Sequence, residues 1–299
     1  MAGLFSLLVF LSLPLVPIIG VFLALLAPLP LLQVIASGRS GFMAWGWVAV
    51  VLAGGVLLSS EAWLAAVAVG YLLVTVWPAT SVEIWARRGW REGRWLASVV
   101  LIALLIATAS LAATFYPVFP PERLSAIVAA SWEEAGGIPT WLKGVSATGP
   151  ELELALRLFT YLIPSLAALY VLMVASFLRP RLRVVGVPVE VGSFEAYRSD
   201  EWLPIGFILG GLGWVFLPEP GKWLAANLLI TIAGLYFVHG LAIIHFYLGP
   251  RLRHSRWIRA GVLVLALQMP VAAMLSVLGL ADNFVRLRRS GEKDEGSDQ

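Results

Sequence analysis

The chain has 299 residues, of which 60% are hydrophobic and only 13% charged, with a mean hydropathy of +0.87; soluble domains carry about 25% charged residues, so this composition excludes an ordinary water-soluble domain. The net charge of +3 and pI of about 9.4 do not indicate nucleic acid, because the arginines sit in short connections beside apolar runs, where they set orientation and meet anionic lipid head groups. With no cysteine there is no disulfide framework, thiolate metal site or cysteine nucleophile.

The chain begins Met1-Ala2-Gly3 without lysine or arginine, so a cleaved secretory signal is not expected. Its first apolar block, residues 4–37, is too long for one straight span. Pro14, Pro17, Pro28 and Pro30 interrupt it, since proline removes a helix hydrogen bond and clashes one turn back. Two short helices, or a bent helix with a re-entrant piece, are predicted. A turn at Ser37-Gly38-Arg39-Ser40-Gly41 follows. Further spans are predicted at residues 42–58, 62–82, 96–115, 155–178, 203–216, 223–248 and 258–280. Runs such as residues 101–107 are continuously apolar, unlike the alternating strands of a barrel, and lipid requires every backbone group to be satisfied internally. The expected fold is therefore all-α, a polytopic integral membrane bundle of about eight to nine transmembrane helices, each needing about 20 residues to cross about 30 Å of hydrocarbon.

Loop charge orients the bundle. Arg87, Arg88, Arg91 and Arg94 fill one connection, Arg179, Arg181 and Arg183 begin another, and Arg251, Arg253, Arg256 and Arg259 a third. The connection at residues 117–153 instead carries Glu122, Glu133, Glu134, Glu151 and Glu153 against Arg123 and Lys143. The arginine loops are expected in the cytoplasm and the acidic one outside. Residues 1–289 then form a single transmembrane domain with 117–153 as an inserted extracytoplasmic segment. That segment holds one amphipathic helix, residues 121–135. The polar tail at 290–299 cannot bury apolar surface and is expected to be disordered and extracytoplasmic. No internal repeat is evident.

Polar groups inside the spans mark sites or helix contacts. On the span at 223–248, Asn227, Thr231, Gly234 and His245 fall within about 40° of one line, while Tyr236 and His239 point elsewhere. Two readings stay open for this stripe: one wall of a solute pocket, or helix-packing contacts around a small residue. In the last span Gln268, Gly279, Asp282 and Arg286 share a face if the helix continues past Pro270, and Asp282 and Arg286, four apart, form an interface pair. Gly206-x-x-x-Gly210 favours close helix crossing. The 13 tryptophans, Trp45, Trp47, Trp63, Trp90, Trp95, Trp202, Trp223 and Trp257 among them, read as an interfacial belt.

Nucleotide-binding, zinc-protease and nucleophile-elbow patterns are absent. Three histidines and no cysteine leave too few ligands for zinc or haem. No enzyme activity, metal or cofactor is expected.

The run Gly234-Leu235-Tyr236-Phe237-Val238-His239-Gly240-Leu241-Ala242-Ile243-Ile244-His245-Phe246-Tyr247-Leu248 after Asn227 resembles the penultimate helix of the YybS-like family of bacterial membrane proteins. Leu278-Gly279-Leu280-Ala281-Asp282-Asn283-Phe284-Val285-Arg286 resembles its closing Gly-x-x-Asp segment, and Pro28-Leu29-Pro30 with the Gly38-Arg39-Ser40-Gly41 turn its N-terminal half. The resemblance implies an inner-membrane protein. Its N-terminal half is similar to the substrate-binding subunits of energy-coupling-factor vitamin transporters and to the rod-shape protein MreD. The Ala-x-x-x-Ala docking motif of those transporter subunits is not matched, since Ala24 and Ala27 are three apart. A multi-pass protein of the bacterial cytoplasmic membrane is therefore expected, in contact with membrane lipid. Its activity is either small-solute binding or transport, or a non-transporting scaffold that recruits a membrane or cytoplasmic protein partner.

Overall fold

Prolines decide where the first apolar block turns. In a computed structural model, which describes residues 2–15, 17–37, 62–115, 150–219, 221–254, 261–262, 264–285 and 287–288, this block forms three helices: α1 (Ala2–Leu15), α2 (Pro17–Ala24) and α3 (Leu29–Ala36). Pro17 opens α2 and Pro30 lies in the first turn of α3, the one place where a missing N–H costs a helix nothing. α2 folds back on α1, with Gly20 against the Ser12 carbonyl. The Ser6 hydroxyl donates to Ala27 O at 2.8 Å and accepts from Tyr71 OH at 3.2 Å.

The span expected at 42–58, the helix at 121–135, the 290–299 tail and Arg286 lie outside the described residues; of the 117–153 segment only the last few, which begin a helix, are described.

The next segment is α4 (Ala62–Tyr71), a π-helical turn at Leu72–Val76, and α5 (Trp77–Arg88). The widened turn falls just ahead of Pro78, which has no N–H for the carbonyl four residues back and pushes it aside. Gly89 ends α5 at φ +59°, a left-handed cap that glycine adopts without a Cβ penalty. Then follow α6 (Glu92–Phe115), α7 (Pro150–Val185), a single 3-10 turn at Phe194–Ala196, α8 (Leu203–Phe216), α9 (Gly221–His254) and α10 (Met269–Val285).

The fold is all-helical, with no strand among the described residues. Among the described residues, five helical stretches are long and apolar enough to cross a membrane: Ile19–Ala36, Val67–Arg88, Glu92–Ala112, Leu158–Val185 and Gly221–Gly249; Ala2–Leu13, Leu203–Phe216 and Met269–Val285 are shorter apolar helices. The last expected span is not one continuous helix. It breaks at Leu267 and Gln268, and α10 starts afresh at Met269 with Pro270 in its first turn.

α9 is the centre of the bundle, in contact with α6, α7, α8 and α10. Small residues set these approaches. The Gly206-x-x-x-Gly210 stripe, extended by Gly213, seats α8 on α9: Cβ atoms at these positions would lie 2.9 to 3.0 Å from Ile232, Leu229 and Ala225. Where α9 crosses α10 the contact is backbone on backbone. A Cβ at Gly240 would overlap the Leu275 carbonyl oxygen, and one at Gly279 the Tyr236 carbonyl oxygen.

One end of the bundle gathers the ends of α5 and α7 with the starts of α6 and α8, and carries the arginines. There Arg91 pairs with Glu201 at 3.2 Å and Arg94 with Asp200 at 3.2 Å. Arg179, 8% exposed, pairs with Glu92 and donates to Gly192 O and Ser193 O, each at 3.0 Å. Trp95 is not part of an interfacial belt. It is 1% exposed and stacks on Trp85 inside the core at 4.7 Å, its indole N–H on Ser81 Oγ. Trp202, 38% exposed at the head of α8, does stand at the surface.

Candidate functional site

Two glycine notches bring the ionisable groups of α9 and α10 together. With Gly240 and Gly279 in backbone contact, His239 and Asp282 face each other, 0% and 3% exposed, with 3.0 Å between His239 Nε2 and Asp282 Oδ2. The chain turns back after α10 and drops Arg288 into the same place. Arg288 Nη2 lies 2.9 Å from Asp282 Oδ2, 2.7 Å from His239 Nε2 and 3.0 Å from Tyr197 O, and Nη1 donates to Glu195 O at 2.5 Å. Asp282 Oδ1 accepts the Leu287 backbone N–H at 2.7 Å.

The two N–H groups of Arg288 Nη2 go to Asp282 Oδ2 and Tyr197 O. On the other side of the imidazole, His239 Nδ1 accepts the Ser199 backbone N–H at 3.5 Å and lies 2.9 Å from Ser199 Oγ. Ser199 donates onward to Asn283 Oδ1 at 3.3 Å, and Asn283 Nδ2 to Tyr236 OH at 3.3 Å. A hydrogen-bond network therefore joins Arg288, His239, Ser199, Asn283 and Tyr236. It links α9, α10 and the segment between α7 and α8. The buried Tyr197 of that segment packs edge-on to His239 at 6.1 Å, and burial pushes its phenol well above the ordinary value.

Next to this network opens a cavity of about 940 Å³, walled by Arg91, Arg94, Ser199, Asp200, Asp282 and Asn283 among others. Ile205 and Ile208 of α8 and Phe284 of α10 complete its apolar side. Gly93 belongs to the same wall, and a Cβ there would overlap Arg198 O. The segment carrying Ser199 thus lies directly on the start of α6. Among the described residues no group of three or more His, Asp and Glu side chains is placed to hold a metal ion.

The residues picked from sequence are dispersed. Asn227 and Gly234 face α7. The Asn227 carboxamide accepts the Ser165 backbone N–H at 2.8 Å and donates to Tyr161 O and Trp223 O, both at 2.8 Å. It takes the place of the Tyr161-to-Ser165 helix bond beside Pro164, which lies inside α7. A Cβ at Gly234 would overlap the Leu169 side chain. Thr231 is fully buried and its hydroxyl has no partner among the described residues. His245 is partly exposed; its Nδ1 is 3.3 Å from Glu195 Oε1, an ion-pair distance without hydrogen-bond alignment, and its ring stands edge-on to Phe194. Gln268 is exposed at the break before α10, where its carbonyl accepts the Ala272 N–H at 2.8 Å. None of these five lines the cavity. Asp282 does, with Arg288 as its cation.

His239, Ser199, Arg288, Asn283 and Tyr236 were not among the residues singled out. The available signal was glycine beside an ionisable group in an apolar run: Gly240 follows His239, and Gly279 stands one turn before Asp282.

Over residues 3–283 the chain matches the family model described as Predicted membrane protein (DUF2232), and it belongs to that family. No curated protein and no solved structure matches it.

Proposed function

We infer that this member of the DUF2232 family is a small-molecule-binding subunit, multi-pass in the bacterial cytoplasmic membrane, with its ligand in the cavity at the arginine-rich end. The observation that carries this reading is the cavity itself. At about 940 Å³ it falls in the range of ligand pockets, about 300–1,000 Å³, and it joins a charged, polar wall to the apolar side chains of Ile205, Ile208 and Phe284. The excess of arginine at this end supports a cytoplasmic position for it. The resemblance of the N-terminal half to vitamin-transporter binding subunits points the same way.

Binding fits the cluster better than catalysis. Ser199, His239 and Asp282 stand in the order of a nucleophile, a base and an acid. Yet Asp282 is already neutralised by Arg288 at 2.9 Å, so its charge does not stand free to stabilise the imidazolium that a general-base histidine must become. Scaffolding through the loop arginines is also less favoured. Arg179 and Arg183 are bound to Glu92 and to Val191 O, and Arg181 donates to Phe177 O at 2.6 Å.

The test is native mass spectrometry of the full-length protein extracted in mild detergent, comparing wild type with Ile208→Trp, which fills the cavity from its exposed side without touching the buried network. The wild type is expected to retain a defined small molecule that the variant lacks at unchanged melting midpoint. Two empty preparations, or equal retention by both, would overturn the reading.

A further inference from the structure

We propose that the cavity takes an amphiphile with a single negative charge, a phosphate or carboxylate head held by Arg198 with its apolar part along Ile205, Ile208 and Phe284, entering sideways from the bilayer. This rests on the ligand-binding reading above and names the class of ligand.

Among the described residues, the charges around the cavity cancel in pairs except one. Arg91 is matched by Glu201, Arg94 by Asp200, Glu92 by Arg179 and Asp282 by Arg288. Arg198 lines the cavity, is exposed, and makes no ion pair among the described residues. A ligand that leaves the site neutral carries one negative charge. One of the neighbouring pairs is loose: the Arg91 and Glu201 side chains are 85% and 89% exposed, whereas Arg94 holds an Asp200 only 13% exposed. An exposed pair of this kind contributes little, so Arg91 can turn to a ligand anion at small cost. Guanidinium groups suit that role, offering paired N–H donors to phosphate or carboxylate oxygens.

The opposite wall has the character of a surface in contact with hydrocarbon. Ile205, Ile208 and Phe284 are 61%, 57% and 70% exposed on two apolar helices. Trp202 fixes the depth. It stands at the head of α8 with its indole N–H on Asp200 at 2.9 Å, the position of a residue at the boundary between head groups and acyl chains. The polar half of the cavity therefore opens at head-group level and the apolar half below it, continuous with the lipid-facing surface of α8 and α10. Basic pockets between membrane helices recognise anionic heads in this manner.

A water-soluble phosphate would share the head chemistry, and the experiment separates the two sources. Melting of the full-length protein in nonionic detergent is followed with phosphatidylglycerol, with phosphatidylcholine, and with inorganic phosphate. Phosphatidylglycerol is expected to raise the midpoint saturably, while the other two leave it unchanged. Arg198→Glu should weaken the response about tenfold and Arg198→Lys should keep most of it, with the ligand-free midpoints of both close to wild type because Arg198 is exposed. Equal shifts with the two lipids, or an unaltered response in Arg198→Glu, would overturn the proposal. Saturable stabilisation by inorganic phosphate that depends on Arg198 would also overturn it, leaving a soluble ligand and the binding reading intact. No response to any of the three, together with an empty cavity by mass spectrometry, would remove both.

Discussion

Arg288 reaches back six residues to place Nη2 2.9 Å from Asp282 Oδ2, inside the notch where α10 crosses α9. The pair is buried, the two side chains 5% and 2% exposed, and it closes the chain onto itself just past the last apolar helix. The guanidinium also holds the carbonyls of Glu195 and Tyr197. One side chain thus ties the C-terminal segment to the connection between α7 and α8, and to the wall of the cavity.

Removing one member of this pair should cost far more than removing both. Arg288→Met leaves a buried carboxylate without its cation and takes the guanidinium donors from the carbonyls of Glu195 and Tyr197; breaking a buried pair on one side costs about 3–5 kcal/mol. Arg288→Met combined with Asp282→Asn removes the stranded charge and is expected to recover most of the loss. Tryptophan-fluorescence melting in detergent reads the difference. Equal midpoints for the single and double variants would show that the pair is not coupled.

Asn227 and Thr231, adjacent on one helical stripe, should respond in opposite ways. The Asn227 carboxamide completes the backbone of α7 where the ladder opens at Pro164. Asn227→Leu strands a buried N–H and a buried carbonyl, at about 1–3 kcal/mol for each group. Adding Pro164→Ala lets α7 straighten and restore its own bond, so the double variant should regain stability. Thr231→Val replaces a buried hydroxyl without a partner among the described residues by a methyl group of similar shape, and is expected to be neutral or slightly stabilising. Detergent melts of the three variants check this. A destabilised Thr231→Val, or a Pro164→Ala that fails to rescue, would contradict it.

The helices were legible because lipid leaves a long apolar run few alternatives, and residues 203–216 were bounded correctly from sequence alone. Proline positions also carried through, with Pro17 and Pro30 at helix starts. The helical wheel grouped Asn227 with Gly234 correctly on one face. It could not say that this face meets α7, while His239, on another face, meets α10. Ser199, His239, Asp282 and Arg288 come from segments 40 or more residues apart, except for the last two. A periodicity within one helix holds no information about such meetings. Helix geometry offers Arg286, four residues on, as the partner of Asp282; Arg286 lies outside the described residues, and the cation the structure places on Asp282 is Arg288.

The crossing of α9 and α10 makes the sharpest demand on residue size. A methyl group at Gly279 would occupy the position of the Tyr236 carbonyl oxygen, and one at Gly240 that of the Leu275 carbonyl oxygen. These obstacles are backbone, so no rotamer change relieves them, and the helices must separate. Overpacking of this kind costs about 1–3 kcal/mol and sometimes more, and here it also pulls His239 from Asp282 and Arg288. Gly279→Ala and Gly240→Ala are each expected to lower the melting midpoint and to abolish ligand retention in the cavity. Gly211→Ala, on α8 with nothing within 4 Å of the added carbon, should leave the midpoint unchanged or raise it slightly, since alanine favours a helix by about 1 kcal/mol over glycine. Melting and retention measured side by side for the three variants would sink the close-crossing account if Gly279→Ala behaved like Gly211→Ala.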